Sequence, residues 1–368
     1  MNKLKYGIVG CGNCAFKKHF PALQKLQENI EIVAICDIVL SRAEKANALY
    51  SGGKAKVFTD FNQMILETMD AVLVLTPNDT HSGLVTTALH NKKNVMCESP
   101  MAIAYTDALK MCDASKLSNR LLTVCYHHRF RDDIQYIKSE YEKGTLGDIY
   151  FAKANGVRRR GVPIYGCHLD KHKQGGGALI DIGSHALDLT LWTMNNYKPK
   201  YAIGQVYSKL NMDRETANIG GDWDALKFTA EDSAFGFVVM ENGASIQINA
   251  SWALNTTQIY EATTMLCGTK GGADIKSDGT LELNGVSNGH LFSLTPQLPI
   301  TSTTLDRPNY EQVALAEATT FMNAILGKGK LTILPEQSAT VTMIIEGIYK
   351  SSKEGRAYNF IGSSLTNL

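Results

Sequence analysis

Short apolar runs alternate with helix-compatible stretches along the first third of the chain. The runs lie around Tyr6, Ile8 and Val9, then at Ile30–Cys36, Lys56–Phe58, Ala71–Leu75, Asn94–Cys97 and Leu121–Cys125. Ala71–Leu75 (AVLVL) is apolar at every position, as a parallel strand covered on both faces tends to be. Between the runs, Ala43–Tyr50 (with Ser41 as N-cap), Phe61–Thr68, Thr80–His90 and Thr106–Leu117 read as helices. Strand and helix alternating at this rhythm predict an α/β fold, a right-handed doubly wound parallel sheet of Rossmann type over residues 1–125.

Beyond Tyr126 the rhythm changes. Helix Asp132–Lys143 is followed by a strand at Ile149–Val157, an irregular basic and glycine-rich passage, and a helix over Gly177–Met194. Strand-like runs then dominate at Tyr201–Tyr207, Ser233–Met240, Ala244–Ala253, Glu261–Cys267, Gly272–Ile275 and Thr280–Leu283, with Glu241-Asn242-Gly243 as a hairpin turn. Ser287–Arg307 reads as a long surface loop, and helices return at Tyr310–Leu326 and Pro335–Ser352. Residues 126–368 are therefore expected to form an α+β domain with a large, mostly antiparallel open sheet and helices on one face. A sheet covered on one side exposes the other, so a homo-oligomer, dimer or tetramer, built through that sheet is expected.

Composition narrows the class. A length of 368 residues fits two domains, and a net charge of +1 offers no field for nucleic acid or an anionic membrane. No apolar run approaches the roughly 20 residues of a membrane helix, and MNKLKYG lacks a signal-peptide core, so a cytoplasmic location is expected. The eight cysteines do not suggest a disulfide framework, and Cys11-x-x-Cys14 falls inside a glycine turn where small residues fit.

That turn carries the first candidate chemistry. Gly10, Cys11, Gly12, Asn13, Cys14 and Ala15 spell G-x-G-x-x-A between the first strand and a helix, the arrangement that cradles a dinucleotide pyrophosphate. Gly10 permits the turn, Gly12 lets the backbone approach the phosphates, and Ala15 lets helix and strand pack closely. Asp37 closes the second strand at the distance where an acid takes the adenosine ribose hydroxyls and repels a 2′-phosphate, which favours NAD over NADP. Arg42 nearby argues the other way, as a group able to receive that phosphate. Thr76, Pro77, Asn78 and His81 follow the fourth strand, where α/β sheets bind ligands, and Asn78 and His81 are candidate cofactor contacts. Glu98, ahead of Ser99 and Pro100 at the fifth strand's end, is a candidate for the nicotinamide ribose.

The second candidate lies in QGGGALIDIGSHALDL, Gln174–Leu189. Asp181, His185, Asp188 and Trp192 are spaced as one helical stripe, and an acid one turn before a histidine suits a general base. The glycines before this helix would let a ligand come close, while Asp188 reads as structural. Asp181 with His185, or His168 with His172, has metal-ligand spacing, but no further ligands converge and none is expected.

Together GIVGCGNCA, CDIVLSRA, LTPNDTH, VMCESPMA, GGGALIDIGSHALDL and EGIYKSSKEGR resemble the Gfo/Idh/MocA family (glucose–fructose oxidoreductase, inositol dehydrogenase) over nearly the whole chain. The resemblance implies NAD(P) bound by the first domain, a sugar pocket and subunit interface in the second, and hydride transfer between a sugar or cyclitol carbinol and nicotinamide. RRRGVPIYG, SAFGF and SWALNT are similar to enzymes oxidising the C3 hydroxyl of glucosides. On that basis Tyr126, His128, Arg158, Lys171, Asp181 and His185 are candidate substrate residues, with His185, Asp181 and Ser99 catalytic.

One position departs from the family. Where it usually reads E-K-P, this chain has Glu98-Ser99-Pro100, and a serine hydroxyl brings no charge to a developing alkoxide. Losing one such preorganised group typically costs about 10²–10³ in rate. Lys171 is a candidate substitute cation. Two alternatives stay open: an enzyme that retains NAD and cleaves glycosides by transient oxidation, and a catalytically impaired sugar-binding regulator.

Overall fold

The first apolar run forms strand β1, Leu4–Val9, with Tyr6, Ile8 and Val9 buried. In this computed structural model, which describes residues 3–210, 212, 217–298 and 310–360, five parallel strands join it. They are β2 (Ile30–Cys36), β3 (Lys56–Phe58), β4 (Ala71–Val74), β5 (Asn94–Glu98) and β6 (Leu122–Cys125). Their spatial order is β3-β2-β1-β4-β5-β6, with every neighbouring pair parallel. All of β4 is buried, which explains its unbroken apolar sequence. Strand order reverses between β1 and β4, and the carboxyl ends beside that point are where such sheets take ligands.

The chain divides into two compact units, Met1–His127 with Tyr310–Ala339, and His128–Asn309 with Thr340–Leu368. Residues 310–339, expected in the second domain, thus group with the first. Helix Tyr310–Ile325 contributes Phe321 and Met322 to the core that holds Tyr6, Ile8 and Phe20. Thr123 Oγ1 on β6 donates to the carbonyl of Ile333 at 3.0 Å. A helix that is apolar on one face does not itself reveal which sheet it covers.

The second unit is built on nine strands among the described residues. They are β7 (Ile149–Val157), β8 (Pro199–Tyr207), β9 (Ser233–Met240), β10 (Ser245–Ser251) and β11 (Tyr260–Gly268). The remainder are β12 (Gly271–Ile275), β13 (Leu281–Ser287), β14 (His290–Leu294) and β15 (Tyr358–Asn359). The order is β14-β13-β12-β11-β7-β10-β9-β8-β15, antiparallel throughout except for the β7–β10 pair. Helix Ser184–Thr193 packs on β7 and β11, over buried Ala152, Ala154 and Leu266. On the opposite face Lys153, Gln247 and Met265 are half-buried and Phe237 is exposed.

Three local expectations change. The stretch read as a loop, Ser287–Arg307, begins with a hairpin, because Asn288 (φ 51°) and Gly289 (φ 78°) both adopt the left-handed conformation and join β13 to β14. Its residues 299–307 lie outside the described residues. The helix expected from Ala43 starts at Leu40, with Val39 at its N-cap rather than Ser41. The helix expected over Gly177–Met194 opens as a π-turn, Leu179–Gly183, before becoming α-helical at Ser184.

Candidate active site

In the first unit the glycine loop is shaped by what lies behind it. Gly10 has φ 95°, and a Cβ there would stand 2.5 Å from the Leu75 carbonyl oxygen, so only glycine fits. A Cβ at Gly12 would meet nothing within 4 Å. This side of the loop is open to a bound group, and the N–H groups of the following helical turn precede its first donor, Phe16, which bonds the Gly12 carbonyl at 3.3 Å. Asp37 is buried beneath the loop. Its Oδ2 accepts from the Cys11 N–H at 2.7 Å and its Oδ1 from the Val39 N–H at 2.8 Å. Both carboxylate oxygens keep further acceptor positions, which suits ribose hydroxyls. Ile38, beside it, is 89% exposed, an apolar surface suited to an adenine face that the sequence reading did not single out. Arg42 is exposed on the next helix. These residues fit a dinucleotide.

The two loop thiols are held in their protonated form. Burial, with Asp37 beside it, pushes the Cys11 thiol up to about 12, and the exposed Cys14 thiol, hydrogen-bonded to Glu98, is held well above its ordinary value.

Glu98, at the carboxyl end of β5, is not an isolated loop acid. Its Oε1 accepts from Lys18 Nζ at 2.8 Å and His19 Nε2 at 2.6 Å, with Cys14 Sγ at 3.2 Å, while Oε2 accepts from the Ser99 N–H at 3.0 Å. Lys18 Nζ also lies 3.3 Å from Glu317 and 3.4 Å from His127 Nδ1. Two consecutive residues, Lys18 and His19, reach one carboxylate because Ala15–His19 is a π-turn. Its wider winding sets neighbouring side chains closer in azimuth than the about 100° of an α-helix. No sequence periodicity announces such a turn, so the cluster was not foreseen. Cys14, His19 and Glu98 place ligand atoms within 4.8 Å of one another, but the Lys18 ammonium already holds the Glu98 oxygen and repels a cation from it. The pairs Asp181/His185 and His168/His172 gather no third ligand among the described residues.

His81 was expected to line the cofactor and does not. It is fully buried, with Nδ1 2.9 Å from the Pro100 carbonyl and Nε2 2.9 Å from the Thr76 carbonyl. Burial lowers its pKa, so the neutral ring donates to one of the two carbonyls and ties the segments after β4 and β5. Of its neighbours, Pro77 is exposed, Thr76 half-buried and Asn78 buried.

In the second unit every residue from Gly176 to Met194 is buried except Asp181 and His185. The two residues expected to do chemistry are the two that this stretch leaves half-buried. Asp181 Oδ2 accepts from Trp252 Nε1 at 2.7 Å, a partner 71 positions away that no local pattern reveals. The His185 ring meets that of His128 edge-on, with centroids 5.1 Å apart, so these two candidates are brought together. Asp188, read as structural, is fully buried in a two-point ion pair with Arg129, Oδ1–Nη2 at 2.7 Å and Oδ2–Nε at 2.8 Å.

Other substrate candidates sit elsewhere. Tyr126 is wholly buried, so its ring offers no surface to a ligand. Arg158 is committed to Glu261, with Nε donating to Oε2 at 2.7 Å and Nη2 paired with Oε1. Lys171 is solvent-exposed on a four-residue helix, Lys171–Gln174. The glycine run serves packing rather than ligand approach. A Cβ at Gly177 would fall 1.9 Å from the Glu231 carbonyl oxygen, and one at Gly176 2.0 Å from the Tyr349 hydroxyl. Buried Glu231, also unforeseen, accepts from the N–H groups of Gly177 (2.7 Å) and Leu179 (3.2 Å) and from Tyr349 Oη (2.7 Å), so it caps the helix that carries Asp181.

Comparison with known proteins agrees with both units. The model of the oxidoreductase family, NAD-binding Rossmann fold, matches residues 4–126, and that of the GFO/IDH/MocA C-terminal domain matches residues 134–274. The chain is 31% identical to D-glucoside 3-dehydrogenase of Escherichia coli over 353 residues, 96% of each protein. It is 26% identical to inositol 2-dehydrogenase of Salmonella typhimurium over 274 residues, 74% of each. Among solved structures, levoglucosan dehydrogenase in complex with NADH superposes with a TM-score of 0.79 at 18% identity, over 97% of this chain and 99% of that one. The glycine loop with its buried acid, the parallel sheet and the open-sheet second unit are thus those of a known lineage: the chain belongs to the Gfo/Idh/MocA family of NAD-binding oxidoreductases.

Proposed function

We propose that the protein is an NAD-dependent dehydrogenase acting on a secondary hydroxyl of a sugar or glycoside, with C3 of a glucoside the first position to test. The observation that carries the reading is that Asp181 and His185 alone are half-buried on an otherwise buried stretch, Gly176–Met194. His185 takes the proton of the reacting hydroxyl as general base, and Asp181, oriented by Trp252, supplies a second polar contact. A bound nicotinamide supplies the hydride acceptor. The loop Gly10–Ala15 holds the pyrophosphate by backbone N–H groups, and Asp37 holds the adenosine ribose. Asp37 together with exposed Ile38 favours NAD over NADP, since neither welcomes a 2′-phosphate. The names of the relatives support the substrate class: a glucoside 3-dehydrogenase and an inositol 2-dehydrogenase both oxidise polyhydroxylated substrates.

The test is turnover with NAD⁺ over a panel of glucosides and cyclitols, read as formation of reduced nicotinamide. His185→Ala is expected to lower kcat by about 10²-fold or more while NAD⁺ binding persists. Unchanged turnover would remove His185 from the role, and no turnover of any sugar by the parent would remove the function.

The same reading includes a homo-oligomer formed through the second sheet. Its face opposite the helices carries Ile203, 47% exposed, and Phe237, 36% exposed, on paired positions of β8 and β9. Gln247, Lys153 and Met265 continue that row across β10, β7 and β11. An apolar centre with polar flanks is the composition of an interface between copies.

A further inference from the structure

Lys18 stands out as the one lysine classed as buried among the described residues, with an ammonium between two carboxylates, Glu98 and Glu317. A buried ammonium is retained only where its pairing repays desolvation. The end of β5 holds a carboxylate, Glu98, which on the dehydrogenase reading stays ionised to accept from ribose hydroxyls. We propose that Lys18 is a positioning residue for the dinucleotide: with His19 it fixes Glu98 as an ionised, oriented acceptor, and Glu317 holds the ammonium in place. The inference rests on the dehydrogenase reading above and assigns to that site a residue outside the glycine loop and the strand ends.

The electrostatics follow from the geometry. Burial alone would push the Glu98 carboxyl up, but the Lys18 ammonium and the His19 hydrogen bond outweigh it and hold the group well below the usual range. Burial would likewise pull the ammonium down, but Glu317 and Glu98 hold it well above its ordinary value. The other titratable groups facing Glu98 are Cys14 and His19, Cys97 on β5 itself, Cys125 from β6 and His81 beyond β4. The three thiols are raised, and burial lowers the two imidazoles, so all five stay uncharged near neutral pH. His127 Nδ1 faces the ammonium and accepts from it. Removing the ammonium leaves Glu98 and Glu317 as two buried acids without their shared cation. Glu98 is then protonated at mildly acid pH and regains its charge as pH rises.

The experiment is NAD⁺ affinity by calorimetry from about pH 6 to about pH 8.5, for the parent and for Lys18→Met. The parent is expected to bind with one affinity across the range, since Glu98 is already ionised at its lower end. Lys18→Met is expected to bind about tenfold or more weakly at the acid end and to recover progressively towards the alkaline end. Equal affinity of parent and variant at every pH, or a loss that is the same at every pH, overturns the proposal, because mere loss of packing does not titrate. If Lys18→Met does not fold, Lys18→Gln is read in the same way, and a parent midpoint inside the range shows that Glu98 is not held ionised and overturns the proposal. A parent that binds neither NAD⁺ nor NADP⁺ overturns the dehydrogenase reading and this one with it. A parent that binds, beside a pH-independent variant, overturns this one alone.

Discussion

Asp37 does two things at once. Its oxygens bond the N–H groups of Cys11 and Val39, which anchors the glycine loop to the start of the next helix, and on the proposed function the same oxygens accept from the adenosine ribose. Asp37→Ala should therefore weaken NAD⁺ binding by about tenfold or more, the worth of hydrogen bonds to a charged acceptor, and should narrow the preference for NAD⁺ over NADP⁺. Titration with both dinucleotides checks this. Asp37, Asp181 and His185 stand out in the sequence as candidates because each sits at a fixed offset from a glycine motif or along one helix. Their partners do not. Trp252 reaches Asp181 from across the second unit, and Glu317 reaches Lys18 from 299 positions further along the chain. Such pairs arise only after the sheets are assembled, and one sequence carries no trace of them. The partner of Arg158, Glu261, is likewise 103 positions away.

At the scale of elements, each unit places candidate residues on a helical stretch that contains a π-turn, Ala15–His19 in one and Leu179–Gly183 in the other. Both were legible as helices and neither as π-turns, because the apolar spacing barely changes over five residues. The second depends on Gly177, whose missing Cβ lets the Glu231 backbone lie against the chain. Gly177→Ala should destabilise the protein by about 1–3 kcal/mol or more, since backbone rather than a flexible side-chain end must yield. Thermal denaturation is expected to show a clear drop, and a variant as stable as the parent would contradict the close approach. The six parallel strands and most of the second sheet were readable from their apolar runs. The β14 strand was not, because all of its residues are exposed and no buried alternation marks it.

At the scale of the whole molecule, the exposed row on the second sheet makes an expectation about mass. Light scattering at micromolar concentration should give at least twice the mass of one chain, and Phe237→Asp should shift it towards a monomer without loss of the sheet's circular dichroism. A monomeric parent would remove the interface. The domain boundary was legible only on one side: the run of parallel strands ends where expected, near residues 125–127, but the return of residues 310–339 to the first unit was hidden. That return has a consequence for how the protein is made. During synthesis the Rossmann strands leave the ribosome long before Phe321, Met322 and Glu317, so the emerging sheet lacks part of its core and Lys18 lacks one of its two counter-ions. Completion of the nucleotide-binding unit must await translation of the whole intervening segment. A gene fragment stopping after the sixth strand is thus expected to yield an incomplete, aggregation-prone polypeptide rather than a portable nucleotide-binding module.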